Sequence, residues 1–142
     1  MAPGTLDGGD VCEHGEHLFI GMSHRTNAEG ARQLAACVAR EGFSASTIDI
    51  RSIPEILHLK SGLVSIDDAL LVAIDALADH PALHGRRVLR VPSTEAYAAN
   101  CVRVNERVLV AAGYPLVTSM LRAEGFDPLL LDMSEFRKMD GG

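Results

Sequence analysis

The sequence predicts an α/β protein assembled from three ββαβ repeats. Three observations carry that reading. Two short apolar runs around a polar turn, then a helix-like stretch, then a single strand, follow one another three times in the same order. The arrangement returns about every 45 residues, a spacing typical of units that cannot bury their apolar faces alone and must share a core with their neighbours. With 142 residues, 47% of them hydrophobic and 23% charged, the chain has the length and composition of one folded domain.

In the first repeat, residues 10–12 and 18–21 are short apolar runs separated by a turn at His14 and Gly15. Thr26 followed three residues later by Glu29 reads as a capping box, ahead of a helix with Leu34, Ala35 and Val38 on one face. Gly42 is placed to end that helix, and residues 44–50 alternate as a strand. The second repeat has a strand over 58–66, a turn at Asp67 and Asp68, a strand over 70–74, a helical stretch near 75–79 and a strand over 86–91. In the third, strands 101–104 and 107–111 flank Asn105 and Glu106, a two-residue hairpin turn. A helix over 116–124 and a strand over 128–132 complete it, and a short helix is expected over 134–138.

The repeats set module boundaries at 10–50, 57–91 and 100–132 within one domain of 1–142, with 133–142 beginning a closing strand. A ring or propeller uses this logic, although three units do not obviously close one, and an α+β sandwich is the alternative.

Composition excludes several function classes. Thirteen Lys+Arg against 19 Asp+Glu give a net charge of -6, and only Arg86 and Arg87 are adjacent basic residues, so there is no electrostatic footprint for nucleic acid. No stretch approaches about 18 consecutive apolar residues, and the amino terminus lacks the charged and apolar regions of a secretion signal, so neither a membrane span nor export is expected. The three cysteines, Cys12, Cys37 and Cys101, are widely spaced without a CxxC pair and read as reduced thiols in a cytoplasmic protein.

Three segments carry chemistry-bearing residues. Asp7-Gly8-Gly9-Asp10 puts two carboxylates around a glycine pair that allows close backbone approach, either to face a cationic group or simply as a polar turn before a strand. The loop from Gly21 to Asn27 runs into a helix amino terminus, where outward N–H groups and Arg25 would grip an anion, or where the segment is only a good helix cap. His58 lies in the apolar start of a strand, as a proton-transfer group if a nucleophile stands nearby and otherwise as a satisfied core histidine. Lys60 reads as a solvated charge. Cys12, His14 and His17 fall across a turn with no matching ligand pair, so no metal and no cofactor are expected. Cys37 and Cys101 sit among apolar residues and read as packing.

Five segments, in this order, resemble the dimethylarginine dimethylaminohydrolases: TLDGGDV at 5–11, SHRTNAEGA at 23–31, LHLKSGL at 57–63, YAANC at 97–101 and SEFRKMDGG at 134–142. The resemblance covers nearly the whole chain. It implies the guanidino-modifying (pentein) superfamily, whose fold is a five-bladed α/β propeller of ββαβ modules, and makes the three repeats part of such a propeller. It also implies hydrolysis of an Nω-methylated arginine to citrulline and a methylamine by a cysteine nucleophile, with no metal. His58 is then the general acid/base, Arg25 binds the substrate's α-carboxylate, Asp7 lies on the guanidinium side, and Met139 offers a backbone carbonyl to substrate.

One departure stands out. In the family the DGG segment leads within a few residues to the nucleophile, whereas this sequence stops at Gly142 and Cys101 is not at the nucleophile's position. The resemblance therefore implies a catalytically silent fragment whose cysteine is expected just after Gly142, acting as a homodimer or with a missing amino-terminal half. The alternatives are a non-catalytic module binding arginine-like ligands, or an arginine deiminase or amidinotransferase of the same superfamily.

Overall fold

The computed structural model describes residues 3–139. Three three-stranded sheets follow one another along the chain, each with its second strand in the middle. The first contains β1 (Val11–His14), β2 (His17–Met22) and β3 (Ser44–Asp49). The second contains β4 (Leu63–Ser65), β5 (Leu70–Ile74) and β6 (Arg87–Val91), and the third β7 (Val102–Val104), β8 (Arg107–Ala111) and β9 (Asp127–Leu131).

In each sheet the first two strands pair antiparallel and the last two parallel. A parallel pair needs a crossover, supplied here by α1 (Ala28–Val38), α2 (Asp75–Ala78) and α3 (Pro115–Ala123). A fourth helix, α4, spans Ser134–Arg137. Each sheet has its own crossover helix, so the chain is α/β; the α+β sandwich, which would segregate helices from sheet, is overturned.

The hairpin at Asn105 and Glu106 closes as the sequence predicts, with Asn105 at φ 54, a conformation asparagine tolerates better than other non-glycine residues. Gly42 takes φ 88 after a 3-10 extension of α1, Ala39–Glu41, and ends it. The amino-terminal cap differs from expectation. Asn27 caps α1, its side chain accepting from Gly30 N at 2.8 Å, while Glu29 turns to Arg32 and Gln33. Thr26 fails as a cap because its hydroxyl donates instead to Asp10, 2.7 Å away.

Strand alternation splits the interior in two. Leu18 and Ile20 of β2 face α1, packing with Ala31, Leu34 and Ala35. Phe19, between them, points the other way into a continuous core with Ile48, β5 and, from the third module, Val108, Val117 and Leu121. Every residue of β5 is buried, as expected for a strand covered on both faces. This shared core fixes the first two modules against each other and places the loops at their strand ends side by side.

Candidate functional site

Three loops meet beside β1, β2 and β4. The first is the 3-10 turn Gly8–Asp10 that leads into β1, capped by Asp7, whose side chain accepts from Gly9 N at 2.8 Å. The second is the loop from Ser23 to Asn27 between β2 and α1. The third is the 3-10 turn Leu59–Ser61 ahead of β4, with His58 in extended conformation at its cap position. His58 thus precedes a turn rather than starting a strand, because the strand begins only at Leu63.

Asp10 ties the three together. Its side chain is 0% exposed. Oδ2 accepts from Ser23 Oγ at 2.6 Å and Thr26 Oγ1 at 2.7 Å, and Oδ1 accepts from Leu59 N at 3.1 Å, across the seam between modules. Burying a carboxylate without partners is costly, and these three donors offset that cost. Thr26 Oγ1 also accepts from Asp7 N at 2.9 Å, and Ser23 Oγ accepts from the N–H groups of Arg25 and Thr26 at 3.0 and 3.1 Å. Two hydroxyls therefore turn the whole Ser23–Asn27 loop around one carboxylate. Of the N–H groups at this helix start, those of Arg25 and Thr26 are accepted by Ser23 Oγ, that of Asn27 by Thr5 O and that of Gly30 by Asn27 Oδ1.

The glycines are required by close approach. A Cβ on Gly9 would lie 2.8 Å from His58 Cγ, and one on Gly21 would lie 2.8 Å from Leu59 Cβ. The imidazole is thereby laid against the Gly8–Asp10 turn. His58 Nδ1 is buried without a hydrogen-bond partner, 3.8 Å from Asp7 Oδ1 and 3.7 Å from Asp10 Oδ1. Arg25 Nη1 stands 3.6 Å from the other oxygen of Asp7. The Gly9 N–H, with His58 and Arg25 adding to it, holds the Asp7 carboxyl below its ordinary range against the opposing effect of burial.

The structure therefore brings together three of the four residues singled out by sequence, Asp7, Arg25 and His58. Met139 is described but stands apart in kind, 85% exposed past α4, with its N–H bonded to Phe136 O at 3.0 Å. The position after Gly142, where the nucleophile was expected, lies outside the described residues, as do residues 140–142. Burial pushes the thiols of Cys12 and Cys101 up to about 11 and about 12, which keeps both protonated at neutral pH. Cys37 is exposed, ten residues along α1 from Asn27, roughly 15 Å at 1.5 Å per residue. Among the described residues no group of three or more His, Cys, Asp or Glu side chains is arranged to hold a metal ion.

What the arrangement can do is hold an imidazole with its Nδ1 buried beside two carboxylates and an arginine at the rim. Sequence reasoning missed the part played by Asp10, Ser23 and Thr26. The signal is the Ser-x-x-Thr spacing behind Gly21, which in sequence alone looks like a helix cap.

Residues 1–127 match the family model for arginine deiminase. The chain belongs to the arginine deiminase family. Within the family it is 41% identical over 141 residues to the N(G),N(G)-dimethylarginine dimethylaminohydrolase of Pseudomonas aeruginosa and 36% identical over 140 residues to that of Streptomyces coelicolor. Those alignments cover 99% and 98% of this chain but 54% and 52% of the relatives, so the chain spans about half their length. A solved structure of the Pseudomonas enzyme, a cysteine-to-serine mutant complexed with citrulline, superposes on all of this chain and 55% of its own with a TM-score of 0.90. An amidinotransferase from Microseira wollei, at 20% identity, shares the fold with a TM-score of 0.81. The three ββαβ modules are thus those of the α/β propeller (pentein) fold, shared with the dimethylargininase and amidinotransferase structures. Among the described residues no helix is long and apolar enough to cross a membrane.

Proposed function

We propose that this chain is the part of a cysteine-dependent guanidino hydrolase that moves the proton and holds one end of the substrate. The reaction is hydrolysis of an Nω-methylated arginine to citrulline and a methylamine. The observation that carries it is the imidazole of His58, wedged on Gly9 with its buried Nδ1 facing Asp7 and Asp10 and with Arg25 beside them. The names of the Pseudomonas and Streptomyces relatives and the citrulline in the Pseudomonas complex support the substrate class.

In this reading a thiolate forms a bond to the guanidinium carbon, and His58 gives its proton to the departing methylamine as the C–N bond breaks. His58 then takes a proton from the water whose oxygen replaces sulfur on that carbon, which frees the thiolate and leaves citrulline. Arg25 grips the α-carboxylate, Asp7 faces the guanidinium side and the Met139 carbonyl touches substrate. Neither buried thiol of this chain suits the nucleophile's role, so these 142 residues alone should release no citrulline. The three modules are a partial propeller, acting in the cytoplasm as a homodimer or with further modules.

The test is a hybrid in which residues 1–142 replace the matching stretch of the Pseudomonas relative. Citrulline release from dimethylarginine, lost on His58→Gly, is the expected result. A folded hybrid that keeps releasing citrulline without His58 would overturn the assignment. The family model's name favours a second reading, with free arginine as substrate, and the same hybrid offered arginine separates the two.

A further inference from the structure

We infer that Arg137 is a positioning residue: laid across Tyr97 and Tyr114, it fixes the end of α4 and, through it, the Met139 backbone carbonyl that contacts substrate in the hydrolase reading. The inference rests on that reading and adds a residue to it.

α4 has little else to hold it. None of its residues is buried, and Phe136 is 62% exposed. The bonds from Ser134 N to Asp132 and from Lys138 to Glu135 stay within the helix and its entry. A helix this short does not stand by itself in water. Arg137 reaches out of the segment. Its Nη1 donates to the Tyr114 hydroxyl at 2.9 Å, and its guanidinium carbon lies 4.9 Å from the centre of the Tyr97 ring. One further turn, closed by Met139 N donating to Phe136 O at 3.0 Å, carries that placement to Met139.

The two rings make a fixed platform, with centres 5.9 Å apart. Tyr97 belongs to the 3-10 segment Ser93–Ala99, and Tyr114 occupies the cap position of α3. Glu95 of that segment accepts from the Leu116 and Val117 amides and so ties the segment to the helix start. The platform also borders the site. A cavity of about 380 Å³ is lined by Leu57 and Ser61, on either side of His58 in the sequence, and by Tyr97, Tyr114 and Arg137. Arg137 is exposed, and a cation on an aromatic face at an exposed site stabilises a fold only slightly. What the contact contributes is therefore position, and its loss should leave the urea midpoint nearly where it is.

Two sets of measurements test this. The chain has two tyrosines and no tryptophan, so tyrosinate absorbance of the 142-residue chain reports on this platform alone. Burial, with Tyr114 adding to it, raises the Tyr97 hydroxyl above its ordinary 10, and Arg137 opposes them. Arg137→Ala should move the tyrosinate titration further up, and an unmoved titration would remove the contact from the account. Ring nitrogen NMR of the same variant, labelled with 15N-histidine, should find the His58 signals in place, because the effect runs through Met139; their displacement would overturn that route. In the hybrid with the Pseudomonas relative, Arg137→Ala should raise KM for dimethylarginine about fivefold with kcat nearly unchanged, the mark of a lost substrate contact. Tyr114→Phe, which removes only the acceptor, should raise KM in the same direction, and the two changes should not add. Lys138→Ala, which removes a charge one residue further on, should leave KM alone. An unchanged KM in Arg137→Ala, an equal rise in Lys138→Ala, or a loss carried by kcat alone would overturn the inference. A hybrid that releases no citrulline with Arg137 in place overturns the hydrolase reading itself, whereas an active hybrid indifferent to Arg137 overturns the inference and leaves that reading standing.

Discussion

Asp10 and Glu95 are both buried carboxylates, one at the start of the first module and one in the segment that joins the second module to the third, and they differ in what each has left over. Glu95 lies in a 3-10 segment, Ser93–Ala99, and accepts from Leu116 N at 3.1 Å on one oxygen and Val117 N at 2.8 Å on the other. It caps α3 from about twenty residues upstream. Tyr114, at the cap position itself, makes no side-chain cap bond, so the helix start takes its acceptor and its negative charge from Glu95. Both oxygens are consumed. Asp10 has a comparable set of donors, yet one oxygen still faces a titratable ring. Burial of a charge thus does not mark a site by itself; a charge aimed at a proton carrier does.

The largest effect that can break this comparison is the removal of each carboxylate. Asp10→Ala strands two hydroxyls and an amide inside the protein and should lower stability by about 3–5 kcal/mol. Glu95→Ala strands two amides at a helix start and should cost about 2–3 kcal/mol. Urea unfolding measures both. The comparison requires more than the ranking: Glu95→Ala should leave the His58 ring signals where they are, and a displacement as large as that in Asp10→Ala would show that the two acids belong to one coupled network.

Gly9→Ala sharpens the Asp10 side without touching a charge. The added methyl meets His58 Cγ at 2.8 Å, so either the ring or the Gly8–Asp10 turn must shift, at about 1–3 kcal/mol as for other overpacked sites. Because the obstruction is the ring itself, His58→Gly should relieve most of the cost of Gly9→Ala. A double-mutant cycle reads this directly, and additivity of the two changes would mean that the ring does not rest on Gly9.

Much of the fold is legible in the sequence because its signals are local. Apolar alternation marks the strands, Asn105 and Gly42 mark a hairpin and a helix end, and the same order repeats three times. The 3-10 segment at Ser93–Ala99 leaves no periodic trace, and its one informative residue, Glu95, acts on a helix whose start is about twenty residues later. The site is less legible for the same reason. Asp7 and Asp10 look alike in an Asp-Gly-Gly-Asp run, and what separates them is a pair of hydroxyls at 23 and 26 and an amide at 59. Thr26 reads as a cap until Asp10 is placed beside it. The segments holding Asp7, Arg25 and His58 stand out in the sequence and resemblance to a family gives them roles, whereas the anchor beneath them emerges only from packing.

The smallest expected effect concerns pH and also separates the two regions. Burial, with Arg86 adding to it, lowers the titration of His14 and His17 from the ordinary 6.5, and His14 Nδ1 bridges the first two modules to Ser65 Oγ at 2.9 Å. Ser65 spends its own proton on Asp67 O at 2.8 Å, so His14 is the donor in that bridge. The unfolded chain binds protons at these imidazoles more readily than the folded one does. Stability from them is complete above the ordinary value, falls as pH drops through the window down to the lowered folded value, and falls no further below it. The carboxylates Glu29 and Asp49 are held at about 2 by their arginine partners and lose their contribution only in stronger acid. Urea midpoints taken between about pH 7.5 and about pH 5.5 should therefore decline in the wild type. His14→Gln should flatten that decline, and Glu95→Ala should shift the whole curve down without changing its slope. An unchanged slope in His14→Gln would remove His14 from the account, and a changed slope in Glu95→Ala would tie the acid that caps α3 to the protons of the first module.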